Sequence, residues 1–415
     1  MIGISKLYCG AVEAADVLRY KRRSNKLPSD MLQFSKDKKP VVVWNCTQTC
    51  NLKCAHCYAG SENKKYKGEL TTEQAKVMID DLAEFGCPVL LFSGGEPTMR
   101  KDLLELMKYA KDKGMRVVIS TNGTLITPEK ARQYAEVGLS YVGVSLDGME
   151  KVHDQFRGVD GAFRRALEGL ENARKAGIKV GLRFTINKRN YKEIPKIFDM
   201  MEREKINRIC LYHLVYTGRG SELMDEDLTH EQSRQVVRYI MTRTKQMFAK
   251  GLQPEVLTVD NHADGPFLLE EMRKENDPLA DNAAQLLSWN QGNSTGNGIG
   301  CISWDGEVYA DQFFRHFSFG NIKDRPFSEI WSDTSRETEE SELMFRLKDK
   351  RPHVWGRCSY CDFLNICGAN FRVRAEAATG DLWASDPACY LTDDEIGLTQ
   401  DEKEKVAQEE AEHAL

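Results

Sequence analysis

The chain has no apolar run long enough to span a bilayer, and Met1–Gly10 lacks the basic start and long apolar stretch of a secretory leader. A cytoplasmic protein with no membrane partner is therefore expected. Neither sign of charge dominates: 58 Lys and Arg stand against 63 Asp and Glu, a net charge of -5. No global basic field is available to recruit nucleic acid, so no nucleic-acid partner is expected. A disulfide framework is also absent from the expectation, because twelve cysteines without an export signal point to thiols in a reducing compartment. What is present is an ordinary globular composition, 41% hydrophobic and 29% charged, over 415 residues. That length exceeds what one hydrophobic core usually supports and predicts two domains.

Eight cysteines fall into two local groups: Cys46, Cys50, Cys54 and Cys57, then Cys358, Cys361, Cys367 and Cys389. Cys9, Cys87, Cys210 and Cys301 are scattered. Clustered thiols of this kind suggest metal or iron–sulfur ligation. Cys50, Cys54 and Cys57 form a C-x3-C-x2-C run just past an apolar strand candidate, Val41–Trp44. Three thiolates on one short loop can hold three irons of a [4Fe-4S] cube and leave the fourth open to a small molecule. The competing reading is a zinc loop, although zinc sites usually pair cysteines as C-x2–4-C with a second pair or two histidines elsewhere.

A repeating cadence surrounds this loop. Thr71–Gln74 reads as a capping box opening a helix with Ala75, Met78, Ile79, Leu82 and Phe85 on one face. The helix stops at Gly86 and the apolar run Val89–Phe92 follows. Gly114, Gly138 and Gly177 likewise precede short strands at Arg116–Ser120, Tyr141–Ser145 and Lys179–Phe184, and a sixth strand is predicted at Ile209–Leu214. Six parallel strands admit either an open doubly wound sheet or an incomplete barrel, and both place function on loops at the strand C-termini. Residues 1–39 read as an extension, partly helical around Ala11–Tyr20, and 231–250 as a helix closing the barrel. Residues 256–300 read as a linker or insert, 301–310 as a β-hairpin turning at Asp305-Gly306, and 396–415 as an acidic tail, helical or frayed.

Further chemistry sits at the strand ends. Ser93-Gly94-Gly95-Glu96-Pro97 ends the second strand, where glycines permit close backbone approach and Glu96 can accept from an ammonium group. Asn122 ends the third strand, and Ser145 and Asp147 end the fourth. These groups suit a ribose and an amino-acid moiety, or equally serve as helix N-caps.

The cysteine loop, followed at once by aromatic Tyr58 and one βα unit later by Gly94-Gly95-Glu96-Pro97, resembles the radical S-adenosylmethionine (radical SAM) family. The resemblance implies an α/β fold, a partial (β/α)6 TIM-type barrel over residues 40–255. It implies a SAM-binding [4Fe-4S] cluster on Cys50, Cys54 and Cys57, with SAM held by Tyr58, Gly94, Gly95, Glu96, Asn122, Ser145, Asp147, Arg157, Thr185 and Leu211. Arg157 matches the family arginine that pairs with the cofactor carboxylate, and Arg183 and His213 face the region of adenine and substrate. Residues 301–395 resemble the SPASM domain, whose auxiliary [4Fe-4S] cluster would rest on Cys358, Cys361, Cys367 and Cys389. The full SPASM pattern serves two clusters, but position 371, where another cysteine is expected, is Phe371, which favours one.

The opening ten residues, Tyr212–Gly220 and Asn370–Ala375 are similar to the tetrapyrrole branch of this family. That resemblance implies an iron tetrapyrrole substrate, didecarboxysiroheme, losing two acetate side chains to give Fe-coproporphyrin III, with a ferredoxin or flavodoxin as electron donor. Arg219, Arg315, Arg372 and Arg374 with Phe313, Phe314, Phe317 and Phe371 are then candidates for the anionic macrocycle, and His213, His262 or His316 for its axial iron ligand. The alternatives are another tetrapyrrole enzyme (heme-forming or heme d1-forming), a peptide-modifying maturase, or a non-enzymatic zinc- or cluster-bearing scaffold. A maturase would normally carry a recognition domain ahead of the barrel, for which 39 residues leave too little room.

Overall fold

The Thr72–Phe85 helix shows how the repeat is built. Thr71 and Gln74 cap it reciprocally, and Gly86 ends it in the left-handed region at φ 88°, its N–H turned back onto the last helical carbonyls. Ala75, Met78, Ile79 and Leu82 are buried against the sheet, and the chain re-enters that sheet three residues later. This computed structural model describes residues 1–11 and 39–413. The helix expected around 11–20 lies outside the described residues from position 12 on.

Six strands follow the expected cadence: β2 (Val41–Thr47), β3 (Val89–Gly94), β4 (Arg116–Thr121), β5 (Tyr141–Ser145), β6 (Lys179–Ile186) and β7 (Arg208–His213). Each pairs in parallel with the next in sequence. The strand order never reverses, so there is no switch point of the doubly wound kind, and the partial barrel is the architecture. β1 (Ile2–Gly3) and β10 (Val308–Tyr309) end the ten-stranded sheet and do not pair with each other.

One expectation is corrected. The segment 256–300 is not an irregular linker. It follows and partly forms β8 (Glu255–Val259), which pairs in parallel with β7 and takes β1 on its other side, then builds the Asp264–Lys274 and Ala280–Asn290 helices. Asp264-Gly265-Pro266 looks like a turn, but proline is tolerated in a first helical turn, and a Cβ on Gly265 would stand 2.9 Å from Leu287 of the second helix. The acidic C-terminus takes the helical of its two expected forms, Gln400–His413, with Val406 buried. Its Glu409 accepts from the Gly356 N–H and the Tyr360 hydroxyl, and His413 stacks on Trp355 at 4.0 Å.

The hairpin forms as expected. β9 (Ile299–Ile302) pairs antiparallel with β10, and Gly306 turns at φ 97°. β9 also lies parallel to β2, so the C-terminal region continues the barrel's own sheet. Among the described residues no helix is long and apolar enough to cross a membrane.

Candidate active site

All six parallel strands of the repeat deliver their C-terminal ends to one cavity, which with its open mouth encloses about 1050 Å³. Pockets for small molecules and cofactors run about 300–1,000 Å³. Cys50, Cys54 and Cys57 stand on its wall with Tyr58, Gly94, Gly95, Asn122, Ser145, Arg157 and Thr185.

The cysteine loop is held by backbone contacts from several directions. The Cys50 N–H donates to the Glu62 carbonyl, and the N–H groups of Lys53 and Ala55 donate to the carbonyls of Arg157 and Phe156. Arg219 closes the other side. Its N–H donates to the Cys57 carbonyl, its Nε to that of Cys54 at 2.8 Å, and both Nη to that of Ser61 at 3.2 Å. Gly94 and Gly95 press against the start of the loop, where a Cβ on Gly95 would overlap the Thr49 carbonyl oxygen. Gly95→Ala is therefore expected to displace the loop and lower the iron and acid-labile sulfide retained after anaerobic reconstitution.

The thiols fit an iron–sulfur cube. Burial first, then the charges of Glu96 and of Cys54 and Cys57, push the Cys50 thiol up to about 12, and burial raises the Cys54 thiol as well, so holding these two as thiolates calls for a cationic group beside them. The Leu52 N–H and Arg157 Nη1 already point at the sulfurs of Cys50 and Cys54, each at 3.4 Å. Among the described residues no three Cys, His, Asp or Glu side chains close on a single metal ion, whereas a cube takes its thiolates one per iron at separate corners.

Behind the wall, two carboxylates orient the lining. Glu96 is fully buried; its Oε1 accepts from Thr98 and from Thr121 Oγ1 at 2.7 Å, and its Oε2 from the Asn122 N–H at 2.8 Å. Asp147 is also fully buried, ion-paired with Arg157, and accepts from the Thr185 N–H at 2.9 Å. Burial opposes the Asp147 charge, but Arg157, His56 and His153 outweigh it and hold the carboxyl below its ordinary range. Glu96, Asp147 and Leu211 are thus behind the cavity surface, and Leu211 is wholly enclosed in β7.

The arginines expected around a macrocycle are engaged elsewhere. Arg219 clamps the cysteine loop as described. Arg372 donates to the carbonyls of Ala369, Leu382 and Ala384, and Arg374 pairs with Asp386, both partners fully buried. Arg315 lies over Trp304 and Tyr309 and does not line the cavity. Arg183 does line it, its guanidinium carbon over the Tyr212 ring at 4.5 Å, with its stem over Gly143, and it has no carboxylate partner among the described residues. Sequence reasoning missed Asp260 altogether. It stands one residue past β8 on the cavity wall, in the left-handed region at φ 66°, with Oδ2 unpartnered and its carboxyl pushed up to about 7, first by burial. The turn-like Asp260–Pro266 composition hid it.

The second cysteine group lies outside the cavity lining. Burial and then the charges of Cys389, Cys358 and Cys361 raise the Cys367 thiol well above its ordinary value. Cys301 lies apart, packed with Val43 and Tyr309 and accepting from Asn45 Nδ2 at 3.5 Å. Phe371 packs edge-on against Phe313. The Arg374–Asp386 pair supports this region. Arg374→Met, which leaves Asp386 buried and unpaired, is expected to cost about 3–5 kcal/mol, read as a lower denaturation midpoint.

Residues 44–201 match the family model described as "Radical SAM superfamily". Residues 295–362 match the SPASM model, described as "Iron-sulfur cluster-binding domain". The chain is 62% identical to an Fe-coproporphyrin III synthase from Methanosarcina barkeri, over 96% of this chain and 99% of the relative. The chain belongs to the radical SAM superfamily. This radical SAM enzyme is also 40% identical to a pre-heme d1 synthase from Dinoroseobacter shibae, over 88% of this chain and 89% of the relative. An AdoMet-dependent heme synthase from Methanosarcina barkeri is 33% identical over 84% and 95%. Among solved structures, anSMEcpe with bound AdoMet superposes with a TM-score of 0.64 at 19% identity, covering 90% of this chain and 96% of that one. Streptococcus suis SuiB bound to its precursor peptide gives 0.67 at 18%, covering 89% and 82%. These structural likenesses show the fold. The radical SAM enzyme takes a [4Fe-4S] cluster, SAM and an auxiliary iron–sulfur cluster as its cofactors.

Proposed function

We propose that this radical SAM enzyme removes two acetate side chains from didecarboxysiroheme to give Fe-coproporphyrin III. The observation that carries this reading is the 62% identity to an Fe-coproporphyrin III synthase over almost the whole of both chains. It is favoured over the pre-heme d1 and heme synthase alternatives, whose identities are 40% and 33%.

Cys50, Cys54 and Cys57 would hold the cluster that opens SAM, and Cys358, Cys361, Cys367 and Cys389 the auxiliary one. When bound, SAM supplies a 5′-deoxyadenosyl radical able to take a hydrogen atom from a substrate carbon. The protein's part is to bind, orient and exclude water. The ring of N–H and O–H donors around Glu96 fixes Thr121 and Asn122, which line the SAM side of the cavity. Arg157, fixed by Asp147 and beside Cys54, supplies positive charge for the cofactor carboxylate. Val43, Leu91, Leu214, Val215 and Phe313 offer apolar walls to a flat macrocycle. Arg183, over the Tyr212 ring and without a carboxylate partner among the described residues, receives one substrate carboxylate. A ferredoxin or flavodoxin in the cytoplasm would deliver the reducing electron.

The test is anaerobic incubation of reconstituted protein with SAM, reductant and didecarboxysiroheme, followed by mass analysis; no loss of acetate from the porphyrin overturns the reading. Arg183→Ala is expected to weaken tetrapyrrole binding by about 1.5–3 kcal/mol, the usual range for a hydrogen bond to a charged group, with Arg183→Lys intermediate. An absorbance titration reads it.

A further inference from the structure

We propose that His213 is the axial ligand through which the enzyme grips the iron of its tetrapyrrole substrate, oriented by Asp264 and Tyr390. The inference rests on the tetrapyrrole reading and adds to it the atom that recognises the metal.

His213 is the last residue of β7 and stands on the cavity wall, 5% exposed. Its Nε2 meets Asp264 Oδ2 at 3.0 Å. Asp264, fully buried, is fixed from its other oxygen by the Tyr390 hydroxyl at 2.6 Å. Carboxylate, imidazole and a free second ring nitrogen are the arrangement that metal-ligating histidines use: the carboxylate holds the tautomer and ring angle and raises the basicity of the ligating nitrogen. Here Asp264 fixes Nε2, leaving Nδ1 as the ligating nitrogen; among the described residues the ring's one hydrogen bond is that from Nε2. Ligation releases any proton on Nδ1 while the Nε2 proton stays with Asp264.

The two other candidate histidines lack this combination. His316 pairs with Glu376 at 2.9 Å but is 42% exposed and off the cavity wall, and His262, though buried, does not line the cavity. The apolar surfaces next to His213, from Leu214, Val215 and Phe313, suit the face of a macrocycle whose metal it would hold. Tyr390 follows Cys389 directly, so the orienting hydroxyl is also anchored to the second cysteine group.

Iron(III) coproporphyrin III and metal-free coproporphyrin III are the probes, titrated into full-length reconstituted protein. Iron and sulfide content and circular dichroism report the state of each variant. With wild type, the iron form is expected to change its Soret position and ferric EPR signal on binding. His213→Gly is expected to lose that change and to weaken iron-form binding about tenfold or more, leaving the metal-free form unaffected, with added imidazole restoring the spectrum. Asp264→Asn is expected to shift the spectrum without abolishing ligation. If His213→Gly and His213→Gln bind the iron form with the wild-type spectrum, or lose both forms equally, the axial role is overturned while the tetrapyrrole reading stands. If wild type binds neither porphyrin, the tetrapyrrole reading itself falls and the ligand with it.

Discussion

Replacing Cys54 with alanine is expected to bring 5′-deoxyadenosine formation down to background when reconstituted protein is incubated with SAM and dithionite. Three thiolates are the minimum that leaves one corner of a cube vacant for SAM, and Cys54 is the central one of the loop. The loss should be local. The Lys53 and Ala55 N–H groups still meet the carbonyls of Arg157 and Phe156, Arg219 still clamps the carbonyls of Cys54, Cys57 and Ser61, and Arg157 keeps Asp147. Circular dichroism should therefore match wild type while iron content falls. Cys46→Ala is the matched comparison. That thiol is fully buried, pushed up to about 12 by burial, and donates to the Ser93 carbonyl at 3.4 Å, so it is a packed strand residue and its loss should leave SAM cleavage intact. Retained 5′-deoxyadenosine production in Cys54→Ala would remove the site.

The physical chemistry of particular residues explains what the sequence made visible. Glycines at the helix ends, such as Gly86, Gly114, Gly138 and Gly177, punctuate βα units because they alone turn the chain at positive φ without penalty. The cysteine spacings are chemically restrictive, so both thiol groups could be found by counting. What stayed hidden depends on contacts between distant segments. β1 is two residues long and exists because β8 offers an edge to Ile2 and Gly3. The arginines show the limit most clearly. Arg219, Arg372 and Arg374 looked available for substrate carboxylates, but a guanidinium carries five donors and here they meet carbonyls and Asp386. Only geometry separates these from Arg183, whose neighbours are the Tyr212 ring and the Gly143 backbone. Asp264 and Tyr390 are 126 residues apart, and no local pattern links them to His213.

Cys361→Ala is expected to give the opposite split from Cys54→Ala: SAM cleavage persists and porphyrin product is lost. Four cysteines around one auxiliary cluster would leave no vacant corner, which would suit the site to electron transfer and not to substrate coordination. The structure links it to the cavity by two short routes. Cys389 is followed by Tyr390, whose hydroxyl reaches Asp264 and through it His213 on the cavity wall. Cys367 leads in four residues to Phe371, edge-on to the cavity-lining Phe313 at 5.6 Å. A substrate left with an unpaired electron after hydrogen-atom loss needs such an outlet to reach a closed-shell product. Without it, cofactor consumption should uncouple from acetate loss, so that 5′-deoxyadenosine accumulates while mass analysis finds didecarboxysiroheme unchanged. The Cys361 position is supported by the C-terminal helix through Tyr360 and Glu409, so a second variant, Cys358→Ala, guards against a purely local disturbance. Wild-type coupling in both variants would take the electron-transfer role away from this cluster, and loss of SAM cleavage in both would mean that the two cysteine sites are structurally inseparable.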